Sequence, residues 1–240
     1  MAWKYRWGLV ALAAVLALVL PSAVAWKRTA TAPLSTPLPF SSAAAILSAA
    51  DFGALVPSAD ARRLADWVAR SGDHAGVGFV IVDKKQARIY VFDGSARLLG
   101  DSAILLGGAP GDESTPGIGN KPVDGLQPHE RTTAAGRFVA QRGRNMRHED
   151  VVWVSYDDAL SIHKVLLANP AEHRLERLAT PTISDNRISS GCINVPANFF
   201  EQTVLPAFAT HRAMVYILPE QKSLDEVFGT LARSRILATN

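Results

Sequence analysis

The stretch Val77-Gly78-Phe79-Val80-Ile81-Val82-Asp83-Lys84-Lys85-Gln86-Ala87-Arg88-Ile89-Tyr90-Val91-Phe92-Asp93-Gly94 decides the fold class. Val77 to Val82 is apolar and rich in β-branched residues, Asp83 to Gln86 is turn material, and Ala87 to Phe92 alternates before Asp93-Gly94 marks a second turn. Ala103 to Leu106 follows and ends at Gly107-Gly108, so a meander of short antiparallel strands is expected. Beyond it a loop rich in Gly, Pro and Asp runs from Ala109 to about Glu130, and loops of that length inside a domain are usually functional or mobile. Arg137 to Ala140, Val151 to Tyr156, Ala159 to His163 and Ala213 to Leu218 supply further strands.

Helical signals are fewer. Leu64, Trp67 and Val68 share one face of a helix from about Asp60 to Ser71, with Ser58 as its cap and Gly72 as its stop. Residues 42–50 also have helical character. Asn169-Pro170 opens a helix to about Ala179, and Pro196 suits the first turn of a helix carrying Phe199, Phe200, Val204 and Leu205. Ser223-Leu224-Asp225-Glu226 has capping-box spacing and begins a terminal helix with Leu224, Val227, Phe228 and Leu231. The fold class is mixed and mostly β, with no internal repeat.

The N-terminal segment reads differently. Lys4 and Arg6 precede an apolar run from Gly8 to Leu20, Pro21 breaks it, and Ala23-Val24-Ala25 has the small-x-small pattern of a signal-peptidase site. The run is short of the roughly 20 residues of a bilayer span, so a signal peptide over 1–25 is expected, an uncleaved anchor being the alternative. Either way the body is exported, and the expected location is periplasmic or elsewhere in the cell envelope. Residues 26–72 form a Pro/Ser/Thr-rich tether and short helical extension, 73–220 the β-rich domain, and 221–240 a C-terminal helix.

Composition is that of a globular chain of 240 residues, 48% hydrophobic and 20% charged, with a net charge of +3. Without Lys4 and Arg6, 23 of the 25 basic residues remain against 22 acidic ones, a balance of +1. No basic stripe with interleaved aromatics is present, so the sequence does not point to nucleic acid. A single cysteine cannot form an internal disulfide or a structural zinc site, and no HExxH or HxxxH spacing occurs, so no metal or cofactor is expected.

That cysteine sits in Arg187-Ile188-Ser189-Ser190-Gly191-Cys192-Ile193-Asn194-Val195-Pro196. Small residues before Cys192 let a carbonyl approach the sulfur, and the N–H groups of Ser190, Gly191 and Cys192 are candidates for an oxyanion cradle. A helix beginning just afterwards would place its positive end near the sulfur and favour thiolate. A nucleophilic thiol wants a base. His163 ends the apolar strand Ala159-Leu160-Ser161-Ile162-His163, where alternation puts it on one face with Ser161. His173 lies among charges and reads as solvated; His74, His129, His148 and His211 read as surface residues.

These features resemble the YkuD-type L,D-transpeptidase family. The resemblance rests on Ser189-Ser190-Gly191-Cys192-Ile193-Asn194, the Ser-Ile-His ending at His163, Phe79 to Val82 with Arg88 to Asp93, and Thr133-Ala134-Ala135-Gly136-Arg137-Phe138. It covers about Gly76 to Leu218. It implies a β-sandwich or barrel-like catalytic domain, a peptidoglycan tetrapeptide as acyl donor, and inhibition by carbapenems. By motif position it makes Cys192 the nucleophile and His163 the general base, with Ser190, Gly191, Arg187 and Asn194 at the oxyanion or substrate-binding site. The chain departs from the family in carrying Ser190 where histidine is usual, Lys164 after the upstream histidine, and a longer stretch between His163 and Cys192. The expected activity is acyl transfer on stem peptides, with another stem peptide or an envelope protein as acceptor. Alternatives are a carboxypeptidase or amidase using the same residues, and a non-catalytic peptidoglycan-binding module.

Overall fold

The computed structural model describes residues 49–209 and 212–229. Residues 1–48, which hold the expected signal peptide and much of the expected tether and helical extension, lie outside the described residues, as do residues 210–211, His211 among them, and the chain beyond Gly229. The two decisive apolar runs form β1 (Phe79–Asp83) and β2 (Arg88–Phe92), paired antiparallel with Phe79 opposite Phe92 and Asp83 opposite Arg88. β3 (Leu98–Ala103) and β4 (Leu106–Gly107) follow, then β5 (Gly136–Arg144), β6 (Asp150–Ser155), β7 (Leu160–Lys164), β8 (Arg187–Ser189), β9 (Ile193–Val195) and β10 (Arg212–Ile217).

Eight strands form one sheet in the order β3-β2-β1-β10-β5-β6-β7-β9, and β4 pairs with β8 apart from it. An antiparallel meander is present as β1-β2-β3, but its third strand is Leu98–Ala103 and not the expected Ala103–Leu106; a second is formed by β5-β6-β7, and β10 lies between the two and runs parallel to β1. β9 is likewise parallel to β7, with His163 opposite Asn194. The sheet is nearly closed and barrel-like. Ile104 N–H still bonds to Ala87 O on the β2 side, whereas Leu105 exchanges both backbone bonds with Asn194 at the other edge, each 2.9 Å.

Alternation assigns two apolar cores. One face contributes Val80, Val82, Ile89, Val91, Val152, Ile162, Ile193, Val195, Val215 and Ile217, all buried. Phe200, Val204 and Phe208 pack onto it from a helical segment made of α3 (Ala197–Phe199), a π-helical turn Phe200–Val204 and α4 (Leu205–Ala207). The other face contributes Phe79, Ile81, Tyr90, Phe92 and Tyr216, and is covered by α1 (Ala59–Ser71) through Ala61, Leu64, Ala65 and Val68. Each buried Leu or Val here contributes roughly 1.5–3 kcal/mol.

α1 starts where Ser58 Oγ accepts from Ala61 N–H, a cap worth about 1 kcal/mol, and stops at Gly72 with φ +67°. The same Ser58 hydroxyl donates to Asp83, tying the helix start to the end of β1. Downstream, the Asn169-Pro170 signal gives a 3₁₀ turn, Pro170–Glu172, rather than one helix. His173 at φ +50° breaks the path before α2 (Arg174–Ala179). The Ser223 capping box is present and opens α5 (Leu224–Val227).

Candidate active site

The covered and uncovered parts of the sheet decide where chemistry sits. Ile162 points into the first core, so Ser161 and His163 face the other way, and α1 packs at the β1–β2–β10 side of that face. Asn194, opposite His163 on β9, shares this face because parallel partners do. The turn between β8 and β9 brings Cys192 to Ser161, whose Oγ lies 3.4 Å from Sγ, and Sγ also lies 3.3 Å from Ala159 O.

His163 and Cys192, 29 positions apart in sequence, are close enough to shift each other's titration. His163 Nδ1 donates to Lys164 O at 2.8 Å. A carbonyl only accepts, so Nδ1 carries the proton of the neutral ring and Nε2 is left as the basic nitrogen. Burial opposes charge on both partners, pushing the Cys192 thiol up and the His163 imidazolium down. Their mutual attraction outweighs burial, so the thiol stands below its ordinary range and the imidazole above its own. Ser161 adds to the lowering at Cys192. The pair therefore leans towards thiolate and imidazolium.

Helix polarity is not the activator that the sequence suggested. The residues directly after Cys192 form β9, and α3 starts only at Ala197, because Ile193 and Val195 are drawn into the core as a strand paired with β7. The helical segment thus begins five residues beyond Cys192, and a strand lies between its N-terminus and the sulfur.

Of the proposed cradle, Gly191 N–H is bonded to Ser189 Oγ at 3.1 Å, and the same hydroxyl donates to Cys192 O at 2.6 Å. Ser190 is half-buried within this turn. Asn194 is buried and its amide is committed: Oδ1 accepts from Arg174 at 2.7 Å, Nδ2 donates to Cys192 O at 3.2 Å, and Nδ2 stands 3.5 Å from His163 Nε2. Arg187 is engaged in an ionic cluster, pairing with Glu220 and reaching the carbonyls of Lys84 and Gly107. His173 is exposed beside Glu176, and His129 and His148 are exposed. His74 is a correction. Expected at the surface, it is buried beside Phe79 with Nε2 against Gly94 O at 3.0 Å, because the turn after α1 folds back onto the start of β1.

Two contributors carry no signal in the local motif. Arg174 begins α2, within the long segment between His163 and Cys192, and fixes the Asn194 amide from there. Thr133 reaches the nucleophile turn, donating from Oγ1 to Gly191 O at 2.7 Å. Among the described residues no group of three or more His, Cys, Asp or Glu side chains has a metal-binding arrangement.

Gly191 is the tightest point of the turn. Its φ is +130°, and a Cβ there would lie 3.0 Å from Thr132 O. Gly191→Ala is expected to lower stability by roughly 1–3 kcal/mol and to slow thiol alkylation, because the backbone must leave the conformation that presents Sγ. Thermal melting and iodoacetamide kinetics on the same sample check both; a variant matching wild type in each would show that the turn tolerates a side chain.

No family model and no curated protein matches this chain. Solved structures do match at low identity. The helical cell shape determining protein Pgp2 from Campylobacter jejuni is 17% identical with a TM-score of 0.40, over 61% of this chain and 49% of that one. The LD transpeptidase LdtMt1, solved with imipenem, is 13% identical with a TM-score of 0.34, over 59% of each chain. A cysteine-to-serine mutant of an Enterococcus faecium L,D-transpeptidase is 15% identical with a TM-score of 0.31, over 59% of this chain and 50% of that one. The chain thus spans about half to three-fifths of the length of these three structures.

Proposed function

We propose that this protein is an exported cysteine acyltransferase of the L,D-transpeptidase type, acting on peptidoglycan stem peptides in the cell envelope. The observation that carries the reading is the placement of Cys192 beside β7, with Sγ 3.4 Å from Ser161 Oγ two residues before His163, while His163 Nδ1 is held by Lys164 O and Nε2 is left as the basic nitrogen. The motif resemblance around Cys192, His163 and Thr133 supports the substrate class.

In this mechanism His163 takes the thiol proton and the Cys192 thiolate attacks the carbonyl joining the third residue of a stem peptide to its terminal D-alanine. The backbone N–H of Cys192 stabilises the oxyanion. Collapse expels the amine, which receives the proton from His163, and leaves a thioester on Cys192. An amine of a second stem peptide then attacks the thioester; water in its place gives the hydrolytic outcome. Asn194 and Arg174 serve by holding the turn and the ring in register rather than by touching the reacting carbonyl.

The test is incubation of the purified protein with defined disaccharide tetrapeptides, followed by mass analysis. Loss of D-alanine with appearance of a cross-linked product is expected. A carbapenem should add covalently at Cys192. A hydroxyl needs a closely held base to match a thiol, so an adduct on Ser190 would overturn the assignment of the nucleophile.

A further inference from the structure

Thr133 lies 58 positions from Gly191 in sequence, is fully buried, and bonds through its side chain to the backbone that carries the nucleophile. Its Oγ1 accepts from Gly107 N–H at 2.9 Å. A hydroxyl has a single proton, so with that lone pair occupied the proton is directed to Gly191 O, 2.7 Å away. The residue is itself anchored, because its carbonyl accepts from the buried Lys84 ammonium at 2.9 Å. The orientation of the Thr133 hydroxyl is therefore set from both sides.

The consequence follows from peptide geometry. In a planar trans peptide the C=O and the N–H point in opposite directions. Fixing Gly191 O on one side fixes the direction of the Cys192 N–H on the other. The remaining bonds of the turn act on its neighbours: Ser189 Oγ bridges Gly191 N–H and Cys192 O, and Asn194 Nδ2 also holds Cys192 O. Gly191 N–H is thus satisfied locally, while the N–H of the nucleophile's own residue lies next to the carbon that Sγ attacks. Serine hydrolases use the nucleophile's own N–H in this way.

We infer that Thr133 is a positioning residue for acyl transfer, holding the Gly191 carbonyl so that the Cys192 N–H is aimed at the developing oxyanion. The inference rests on the acyl-transfer reading of the site. It assigns Thr133 no part in forming the thiolate, which depends on His163 and Ser161. That separation makes it testable, because alkylation by iodoacetamide needs a thiolate and forms no oxyanion, whereas attack on a carbapenem carbonyl needs both.

Thr133→Val keeps the shape and removes the hydroxyl, and Thr133→Ser keeps the hydroxyl. Thr133→Val is expected to alkylate with the wild-type pH profile while its acylation by a carbapenem slows roughly 10- to 100-fold, up to the loss of about 10²-fold that a 1 Å misplacement causes and short of losing the donor outright. Thr133→Ser is expected to restore acylation to within a few-fold of wild type. Equal losses in alkylation and acylation by Thr133→Val would overturn the inference and make Thr133 a support of the turn alone. Undiminished acylation in Thr133→Val would overturn it as well. If the wild-type protein alkylates but is acylated by neither carbapenem nor tetrapeptide, the acyl-transfer reading itself falls and takes the positioning role with it.

Discussion

Replacing His163 by alanine is expected to slow acylation of Cys192 by more than two orders of magnitude while leaving the fold in place. General acid–base catalysis is worth about 10²–10⁴-fold, and His163 is the base that lowers the thiol. The fold should tolerate the change, since the His163 side chain lies outside both apolar cores and its Nδ1–H serves the adjacent carbonyl of Lys164. The pH profile gives a sharper reading. In the wild type the thiol stands below its ordinary range, so alkylation should persist at pH values where an ordinary thiol has lost its thiolate. In His163→Ala burial still raises the thiol and its chief counterweight is gone, so the inflection should move to higher pH. The double variant His163→Ala/Cys192→Ala should be scarcely worse than Cys192→Ala alone, because residues acting as one unit are strongly non-additive. Identical alkylation profiles for wild type and His163→Ala would sink the dyad.

How much of this was legible in the sequence depends on how local each signal is. β1 and β2 could be read because their apolar runs are bounded by turn residues, and α1 because Ser58 and Gly72 mark its ends. Cys192 and His163 were legible as residue types in a suggestive context. Strand order was not: nothing in the pattern of Arg212–Ile217 says that it lies between β1 and β5, since pairing of distant strands leaves no local trace. The helix expected from Pro196 is present, but it begins five residues beyond Cys192, with a strand between them. Ile193 and Val195 alternate about Asn194, a strand signal that the proline overshadowed. Lys84 was hidden by context, since Asp83-Lys84-Lys85-Gln86 reads as a solvated turn. The Lys84 side chain is fully buried because its partners, Gly111, Asp112, Thr133 and Glu220, come from elsewhere in the chain.

That buried cluster carries the largest expected effect on stability. Asp112 Oδ1 accepts from Lys84 Nζ at 2.7 Å, and its two oxygens also accept the backbone N–H groups of Glu220, Gln221 and Lys222 at 2.7–2.9 Å. Burial pushes this carboxyl up, but the Lys84 bond and the three backbone donors outweigh it and bring its pKa to about 2. Lys84 stands below its usual range, burial prevailing over the attraction of Asp112 and Glu220. Asp112→Ala strips the buried ammonium of its nearest anion and orphans three donors. Breaking a buried pair from one side costs about 3–5 kcal/mol. At 2–4 °C per kcal/mol for a domain of this size, the melting temperature should fall by roughly 6–20 °C. Because the folded carboxyl titrates below its unfolded value of 3.8, its contribution is fully present above that value and is lost as pH falls towards 2. The loss amounts to about 2 kcal/mol at 1.36 kcal/mol per unit. Asp112→Asn keeps an acceptor but cannot ionise, so the stability gap between it and wild type should be wide at pH 7 and narrow by this amount between pH 4 and pH 2. Denaturant melts across that range measure the gap directly. A gap that stays constant with pH would mean that the Asp112 charge contributes nothing, and that the cluster is held by its backbone hydrogen bonds alone.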